Sequence, residues 1–473
     1  PRVRRQRQMC RRDRPWKVLL KYILPLFGSA VFQQLYTLAD TIIAGRFAGQ
    51  TALTAIGASN AIVNILMAVS LGANAGCAVL VSRYFGARQN GKTKTTIYTA
   101  LISFAILSVL LATAGVATCR LILTALKTPQ EALSESIDYL NIYYFGLPFL
   151  MLYNLGTGIF SALGDSRTPF IFLVFSSVAN IVLDYFMVQD SGVRGVAWAT
   201  FIAQGVACVL TLIFVFLRAS KFKSDESKKV YSFGLLKLLL LLSLPIVLQN
   251  SFVSVGNLIL QVRINELAQV QGIGITSGFT AGSKLVVFCT TCICTCASGL
   301  TNFVSQNYGA HKFKRIKRGF GSSLVISSVI ASLFVAACLI FTEPLINLFM
   351  AQGEDVELAM SSAAQYIRIV APFYLVVNVK VNADATVRGC NGNVGFMVST
   401  FSDLIFRVGL VYVLTPFMGF AGVGWAWAIG WVLGTVVAVL FYAFTKCLRK
   451  SYIEKYDAEL NPPEDAESTC AAV

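Results

Sequence analysis

The stretch GVRGVAWAT (192–200) returns as GFAGVGWAW (419–427), with both of its glycines, its second valine, its tryptophan and the alanine after it in the same order. Two further matches precede it in each half: Leu24-Pro25 with Leu244-Pro245, and Val81-Ser82 with Val304-Ser305. A repeat with a period of about 220 residues predicts a fold built from two copies of one unit.

Each copy is made almost entirely of long apolar segments. The 473 residues are 56% hydrophobic and 13% charged, and the mean hydropathy is +0.68. A helix crosses a bilayer with about 20 apolar residues, and six helices per half return the chain to the same side. The sequence therefore predicts an all-α membrane protein with twelve transmembrane helices, in two parallel six-helix repeats around a central cleft. The segments lie near 19–44, 52–80, 95–118, 136–163, 168–188, 194–217, 235–262, 276–300, 320–342, 361–388, 395–416 and 420–446.

The positive charges mark one side of the predicted membrane. The net charge is +16, but the lysines and arginines lie in alternate loops rather than in a patch with interleaved aromatic residues, so nucleic acid is not the expected partner. By the positive-inside rule both termini are cytoplasmic, in the plasma (inner) membrane. The predicted segments are a basic N-terminus (1–17), an N-lobe (18–217), a cytoplasmic linker (218–234), a C-lobe (235–446) and a cytoplasmic tail (447–473).

Four polar residues of the first half lie at one depth of the predicted bilayer. Asp40 is on helix 1, Asn180 and Asp184 are on helix 5, and Thr200 is on helix 6. A carboxylate in the bilayer costs about 2.5 to 3.5 kcal/mol, so it indicates a functional site. Together the four side chains would offer oxygen ligands to a proton or to Na⁺. The alternative is that they hydrogen-bond helices together without further function.

The second half lacks this site and carries charged pairs instead. Leu260, Val411 and Trp427 stand at the positions of Asp40, Asp184 and Thr200. Lys380 and Asp384 on helix 10, and Asp403 and Arg407 on helix 11, are each spaced by four residues and can pair on one helix face. We interpret them as structural ion pairs, with a cytoplasmic-side gate or a contact for an anionic substrate as the alternatives.

Short motifs recur in order along the chain: LP (24–25), ADTIIAG (39–45), SRYFGA (82–87), ALGDSRTP (162–169), NIVLD (180–184), GVAWAT (195–200) and QNYGA (306–310). Together they resemble the multidrug and toxic compound extrusion family, in its DNA-damage-inducible branch, over residues 18–446. The turn after helix 10 departs from the family pattern because RGCNG (388–392) has no acid.

The resemblance implies an antiporter that exports amphiphilic organic compounds, expected to be cationic, in exchange for protons or sodium by rocking between inward-open and outward-open states. It implies that Asp40, Asn180, Asp184 and Thr200 form the cation site. Gln33, Tyr36 and Asn154 would line or support the N-lobe cavity.

Tyr139 and Tyr143 on helix 4 are candidate aromatic contacts. They could stack on an organic cation or belong to an interfacial aromatic belt.

We find no phosphate-binding loop or hydrolytic triad in the sequence, so we expect no enzyme, no cofactor and no metal beyond Na⁺. The expected partners are small organic substrates and the lipid bilayer, with a monomeric chain. The competing functions are a lipid-intermediate flippase of a related repeated-helix class, and a channel or receptor.

Overall fold

A computed structural model describes residues 14–43, 49–125, 128, 130–222, 229–272, 274–349, 356–449 and 451–453. Twelve helices in this part of the chain are long and apolar enough to cross a membrane, which confirms the predicted all-α membrane fold. Most of the predicted N-terminal segment and tail lie outside these residues. The helices are α1 Pro15–Ile43, α2 Gly49–Gly86, α3 Asn90–Ala125, α4 Gln130–Ala162, α5 Arg167–Gln189, α6 Ser191–Ala219, α7 Phe233–Gln271, α8 Gly274–Gly309, α9 Phe313–Ile340, α10 Val356–Gly389, α11 Asn393–Met418 and α12 Ala421–Phe444.

Several helices are longer than the apolar segments that predict them. α3, for example, has 36 residues, which at about 1.5 Å per residue exceeds the hydrocarbon thickness. At its N-terminus α3 begins with the polar run NGKTK, which precedes the predicted apolar segment. α10 is interrupted by a 3₁₀ turn at Ala371–Phe373, because Pro372 has no N–H to donate. A short helix, Thr342–Asn347, follows α9.

The repeated glycines turn the chain at equivalent places in both halves. Gly192 (φ 55°, ψ −129°), the second residue of α6, turns the chain from α5 into α6, and Gly419 (φ 57°, ψ −138°) turns it from α11 into α12. A side chain is strained at such angles because its Cβ collides with the backbone. At Gly195 a Cβ would meet the Met187 carbonyl, and at Gly422 it would meet that of Leu414. The repeated motif therefore forms the tight hairpin that ends each half.

The chain packs as two compact units. The first comprises mainly Lys21–Phe85 and Gln89–Asn257, and the second mainly Leu258–Val473. The first unit ends within α7, whose N-terminal half packs on α2. There Gly72 and Gly76 leave room for Val247 and Ser243 of α7. The lobe limits drawn from the sequence stay a prediction.

The end of the predicted linker is bound to α3 in the first unit. Thr95 Oγ1 donates to the Lys229 carbonyl (2.8 Å), the Ser232 N–H donates to Thr99 Oγ1 (3.2 Å), and the hydroxyls of Ser103 and Tyr231 lie 3.1 Å apart. Residues 223–228 of the linker lie outside the described part.

Asp165, in the motif ALGDSRTP, joins the beginning of α5 to the end of α6. Its carboxylate accepts hydrogen bonds from the backbone N–H (3.2 Å) and the hydroxyl (2.9 Å) of Thr168. The Asp165 side chain thereby satisfies a free N–H at the N-terminus of α5. The same carboxylate pairs with Arg218 at 3.0 Å. An acid at a helix N-terminus also interacts favourably with the helix dipole, so this motif has a structural explanation.

Candidate functional site

The carboxylate of Asp184 is completely buried within α5. Its exposed fraction is 0%, and that of Asn180, one turn earlier on the same face, is 2%. Neither polar atom of the Asn180 amide has a hydrogen-bond partner among the described residues. An unsatisfied buried amide costs free energy, so a ligand that supplies partners would be bound favourably here.

α1 supplies the remaining acid of the predicted cation site. The helix continues through Asp40 to Ile43, but the side chains of residues 38–43 lie outside the described part, and Asp40 is among them. On the preceding turn Thr37 Oγ1 donates to the Gln33 carbonyl at 2.9 Å. Gln33 and Thr37 are exposed and Tyr36 is half-buried.

α1 and α5 are neighbours in the first unit. A Cβ at Gly28 on α1 would lie 3.4 Å from the ring of Phe170 on α5. Asp40 follows Gly28 by twelve residues and Asp184 follows Phe170 by fourteen, which at 1.5 Å per residue corresponds to roughly 18 and 21 Å along the two helices. Measured from the contact between Gly28 and Phe170, Asp40 and Asp184 therefore lie at similar distances along their helices.

The predicted cavity residues of α4 are partly exposed. Asn154 is half-buried, and its amide donates to the Leu150 carbonyl at 2.9 Å. Tyr139 and Tyr143 are half-buried and stack on each other with 6.5 Å between ring centres. Both rings pack against the apolar core of the first unit. On α6, Thr200 is half-buried.

In the second unit both charged pairs are buried and in contact. Lys380 Nζ lies 3.1 Å from Asp384 Oδ2, with side-chain exposures of 7% and 6%. Arg407 lies 3.7 Å from Asp403 at 10% and 8%. Lys380 is also close enough to Asp403 for the two charges to interact, so the pairs form one cluster between α10 and α11.

Two glycines of α12 make room for this cluster. A Cβ at Gly434 would lie 2.8 Å from the Cβ of Asp403 and 2.9 Å from Cε of Lys380, and one at Gly430 would lie 3.1 Å from the Cβ of Arg407. Sequence analysis missed these glycines, although their spacing of four residues places them on one helix face.

Arg407 also stacks on Trp427 of α12. The guanidinium lies 4.7 Å from the ring centre, a favourable cation–π contact. In the internal repeat, Arg407 stands at the position of Asn180 and Trp427 at that of Thr200. Residues at these two positions are therefore in direct contact in the second unit. Leu260 and Val411 belong to the same buried cluster as Trp427.

Within the described residues, no group of three or more His, Cys, Asp or Glu side chains is arranged to hold a metal ion. The predicted Na⁺ site was not tested by this result, because its set includes Asp40, an amide and a hydroxyl. Asn180 and Asp184 offer the oxygen ligands that a hard cation prefers.

Comparison with known proteins agrees with the duplicated fold. The probable multidrug resistance protein YpnP of Bacillus subtilis (strain 168) is 26% identical over 431 residues, which are 90% of this chain and 95% of that protein. A FAD transporter of Shewanella oneidensis is 25% identical over 352 residues, 72% and 76% of the two chains. A crystal structure of MATE in complex with MaL6 superposes with a TM-score of 0.87 at 21% identity, over 95% of this chain and 99% of that one.

The family assignment rests on a sequence profile that covers both halves. The profile described as MatE matches residues 25–186 and 245–413, which are most of the two repeats. The assignment to the DNA-damage-inducible branch stays a prediction. The duplicated twelve-helix fold and the match in both repeats lead to one conclusion: this chain is a multi-pass membrane transporter of the MatE family.

Proposed function

We propose that this transporter is an antiporter that exports amphiphilic organic compounds in exchange for protons or Na⁺. In this proposal Asp40, Asn180, Asp184 and Thr200 bind the coupling cation, and the helices rock between inward-open and outward-open states. We further propose a plasma-membrane location, cytoplasmic termini and a monomeric chain.

The observation that carries the proposal is the complete burial of Asp184 in a membrane helix, next to an amide with no described partner. Burial of a carboxylate in the bilayer is costly and usually marks an ion or substrate pathway. Neutral hydrogen-bonding residues could join helices at a smaller cost. The burial therefore favours a coupling role over a purely structural one.

The internal repeat supports the grouping of the four residues. In the second unit, Arg407 and Trp427 occupy the positions of Asn180 and Thr200 and touch. Leu260, Val411 and Trp427, at the positions of Asp40, Asp184 and Thr200, share one buried cluster. Because both halves turn through equivalent glycines, we expect the corresponding helix faces of the first unit to meet as well.

The coupling step needs only a change in charge at this cluster. Two carboxylates that meet in a medium of low dielectric constant repel each other, so a proton or Na⁺ between them is bound tightly. Opening the cluster to water lowers that cost and releases the cation. A substrate that prefers the open state would then be exchanged for the cation.

We propose that the solute contacts the first unit through Gln33, Tyr36, Asn154, Tyr139 and Tyr143. All five side chains are half-buried or exposed. The relatives named above include a multidrug resistance protein and a FAD transporter, so they leave the chemistry of the solute open.

The experiment uses proteoliposomes that contain ethidium and a proton gradient, or a Na⁺ gradient at constant pH. We expect gradient-driven dye movement in the wild type and its loss in Asp40→Asn and Asp184→Asn. Asp138→Asn is the matched control, because Asp138 is a partly exposed acid that pairs with Arg194. Unchanged transport by well-folded Asp40→Asn and Asp184→Asn variants would remove the proposed site. Comparison of the two gradients identifies the coupling cation.

A further inference from the structure

A polar stripe runs along one face of α8 in the second unit. Successive members are three, four or seven residues apart, which places them within one narrow arc of the helix. All of them are exposed except Thr291, which is half-buried, and Val287 occupies the one remaining position of this face. The stripe consists of Ser277, Thr280, Lys284, Thr291, Cys294 and Ser298.

The composition of the stripe indicates that it faces water rather than lipid. Val287 is the only large hydrophobic residue that α8 exposes among the described residues. α9, by contrast, exposes Val325, Val329 and Leu333 at helical spacing, as expected for a surface in contact with acyl chains. Hydroxyls and a lysine that faced lipid would lose their hydration and gain no hydrogen-bond partner in exchange, which costs free energy.

Lys284 is the residue that gives the stripe a chemical preference. It is the eleventh residue of α8, roughly 15 Å from the Gly274 end, and so lies at membrane depth. It is exposed and forms no ion pair within the described part of the chain. An ionisable side chain at that depth without a counter-charge is a candidate ligand contact.

Two hydroxyls of the stripe donate to carbonyls of their own helix. Thr280 Oγ1 donates to the Thr276 carbonyl at 2.8 Å, and Ser298 Oγ donates to the Cys294 carbonyl at 3.1 Å. The Lys284 ammonium group is the one positively charged donor among the side chains of the stripe. An ammonium binds carboxylate or phosphate oxygens through charge-assisted hydrogen bonds.

Further along the stripe the buried cluster adds positive charge. Cys294 is close enough to Lys380, Arg388 and Asp384 for their charges to act on its sulfur. Two bases and one acid thus lie beside the stripe about 15 Å beyond Lys284, at 1.5 Å per residue. Both positions attract an anion, whereas the buried acid of the first unit, Asp184, attracts a cation.

We propose that the α8 stripe binds the anionic group of an amphiphile, with Lys284 as its direct contact. This inference rests on the proposed transport function and adds a second substrate class to cationic dyes such as ethidium: an anionic or zwitterionic amphiphile with a carboxylate or phosphate. The apolar part would lie along the uncharged positions of the same helix face.

The test is a fluorescence titration of the full chain, purified in a non-ionic detergent, with 11-(dansylamino)undecanoic acid and with its methyl ester. We expect the wild type to prefer the acid. Lys284→Gln should weaken binding of the acid about tenfold, the usual size of one charge-assisted contact, and should leave the ester unchanged. Lys284→Arg should retain the preference. Lys317→Gln, at an exposed lysine of α9, is the matched control.

Each outcome has one meaning. No binding of the acid, equal binding of acid and ester by the wild type, or equal loss of the acid in Lys317→Gln and Lys284→Gln overturns the inference. Unchanged binding of the ester shows that the variants are folded. Competition by phosphatidylglycerol identifies a lipid as the source of the anion, and its absence identifies a soluble amphiphile. The titration needs no ion gradient, so failure of the antiport proposal appears only in the proteoliposome assay.

Discussion

The substitution Lys380→Met tests the buried charged cluster of the second unit. It keeps the length and apolar character of the side chain and removes one charge. Asp384 loses its 3.1 Å partner, while its side chain is only 6% exposed. Asp403, which already has one carboxylate oxygen without a hydrogen-bond partner among the described residues, loses the attraction of a second base.

The expected cost follows from this uncompensated charge. Removing one member of a buried ion pair typically costs about 3–5 kcal/mol in the free energy of unfolding. For a unit of roughly 200 residues this lowers the apparent melting temperature by roughly 6 to 20 °C. The assay is thermal unfolding in detergent, followed by intrinsic fluorescence. Lys317→Met, on the exposed side of α9, should leave the melting temperature unchanged.

A second substitution separates a structural pair from a functional one. Lys380→Met combined with Asp384→Leu removes both charges and leaves Asp403 paired with Arg407 at 3.7 Å. Apolar replacement of a whole buried pair is often neutral or stabilising, so we expect the double variant to recover most of the lost stability. Transport by the recovered variant would support a structural role, and loss of transport would support a gate or substrate contact. A Lys380→Met variant as stable as the wild type would refute the reasoning.

Three other substitutions or modifications test the fold and the stripe. Gly192→Ala and Gly419→Ala should each destabilise the chain by at least about 1–2 kcal/mol, because a Cβ is strained at positive φ. Thermal unfolding measures this loss, and an unchanged melting temperature for either variant would contradict the equivalence of the two turns. Asp165→Ala should cost about 1–3 kcal/mol of stability through loss of an ion pair and a helix cap, whereas Asp165→Asn should keep part of the cap; equal stability of the two variants would exclude a contribution from the cap. A charged, water-soluble thiol reagent should modify Cys294 and spare the buried Cys292 in peptide mass mapping, and protection of Cys294 would place the stripe against lipid.

The fold could be predicted from the sequence because it depends on local, additive properties. Hydropathy over about 20 residues reports a membrane helix whatever its neighbours are. The sequence repeat marked the turns at Gly192 and Gly419. Both turns need a positive φ that glycine adopts without strain, so the glycine recurs wherever the backbone turn recurs. The ends of the helices were less accessible, since polar turns such as those of α3 add no hydropathy signal.

The sites depend on contacts between distant positions, and the sequence carries less of that information. Gly434 and Lys380 meet through close approach of α12 and α10, which no local pattern reports. Lys284 left a signal that the sequence analysis did not use. A single lysine hardly changes the mean hydropathy of a long apolar segment, but its polar neighbours recur at intervals of three, four or seven residues, the spacing of one helix face. A search for periodic polar residues in every apolar helix would have found it.

The two units show how a duplicated backbone can hold opposite chemistries. The turn and its close helix contact restrict the backbone, so Gly192 and Gly419 share nearly the same dihedral angles. The facing positions are less restricted, because a pair of side chains there needs only to be compatible. In the second unit Arg407 and Trp427 fill them with a cation on an aromatic ring. In the first unit Asn180 stands beside the buried acid Asp184. The proposed exchange of a cation for an amphiphile with an anionic group needs one site of each kind: the acids of the first unit for the cation, and Lys284 on α8 of the second unit for the anion. Because side chains can diverge on a repeated backbone, both sites are compatible with one fold.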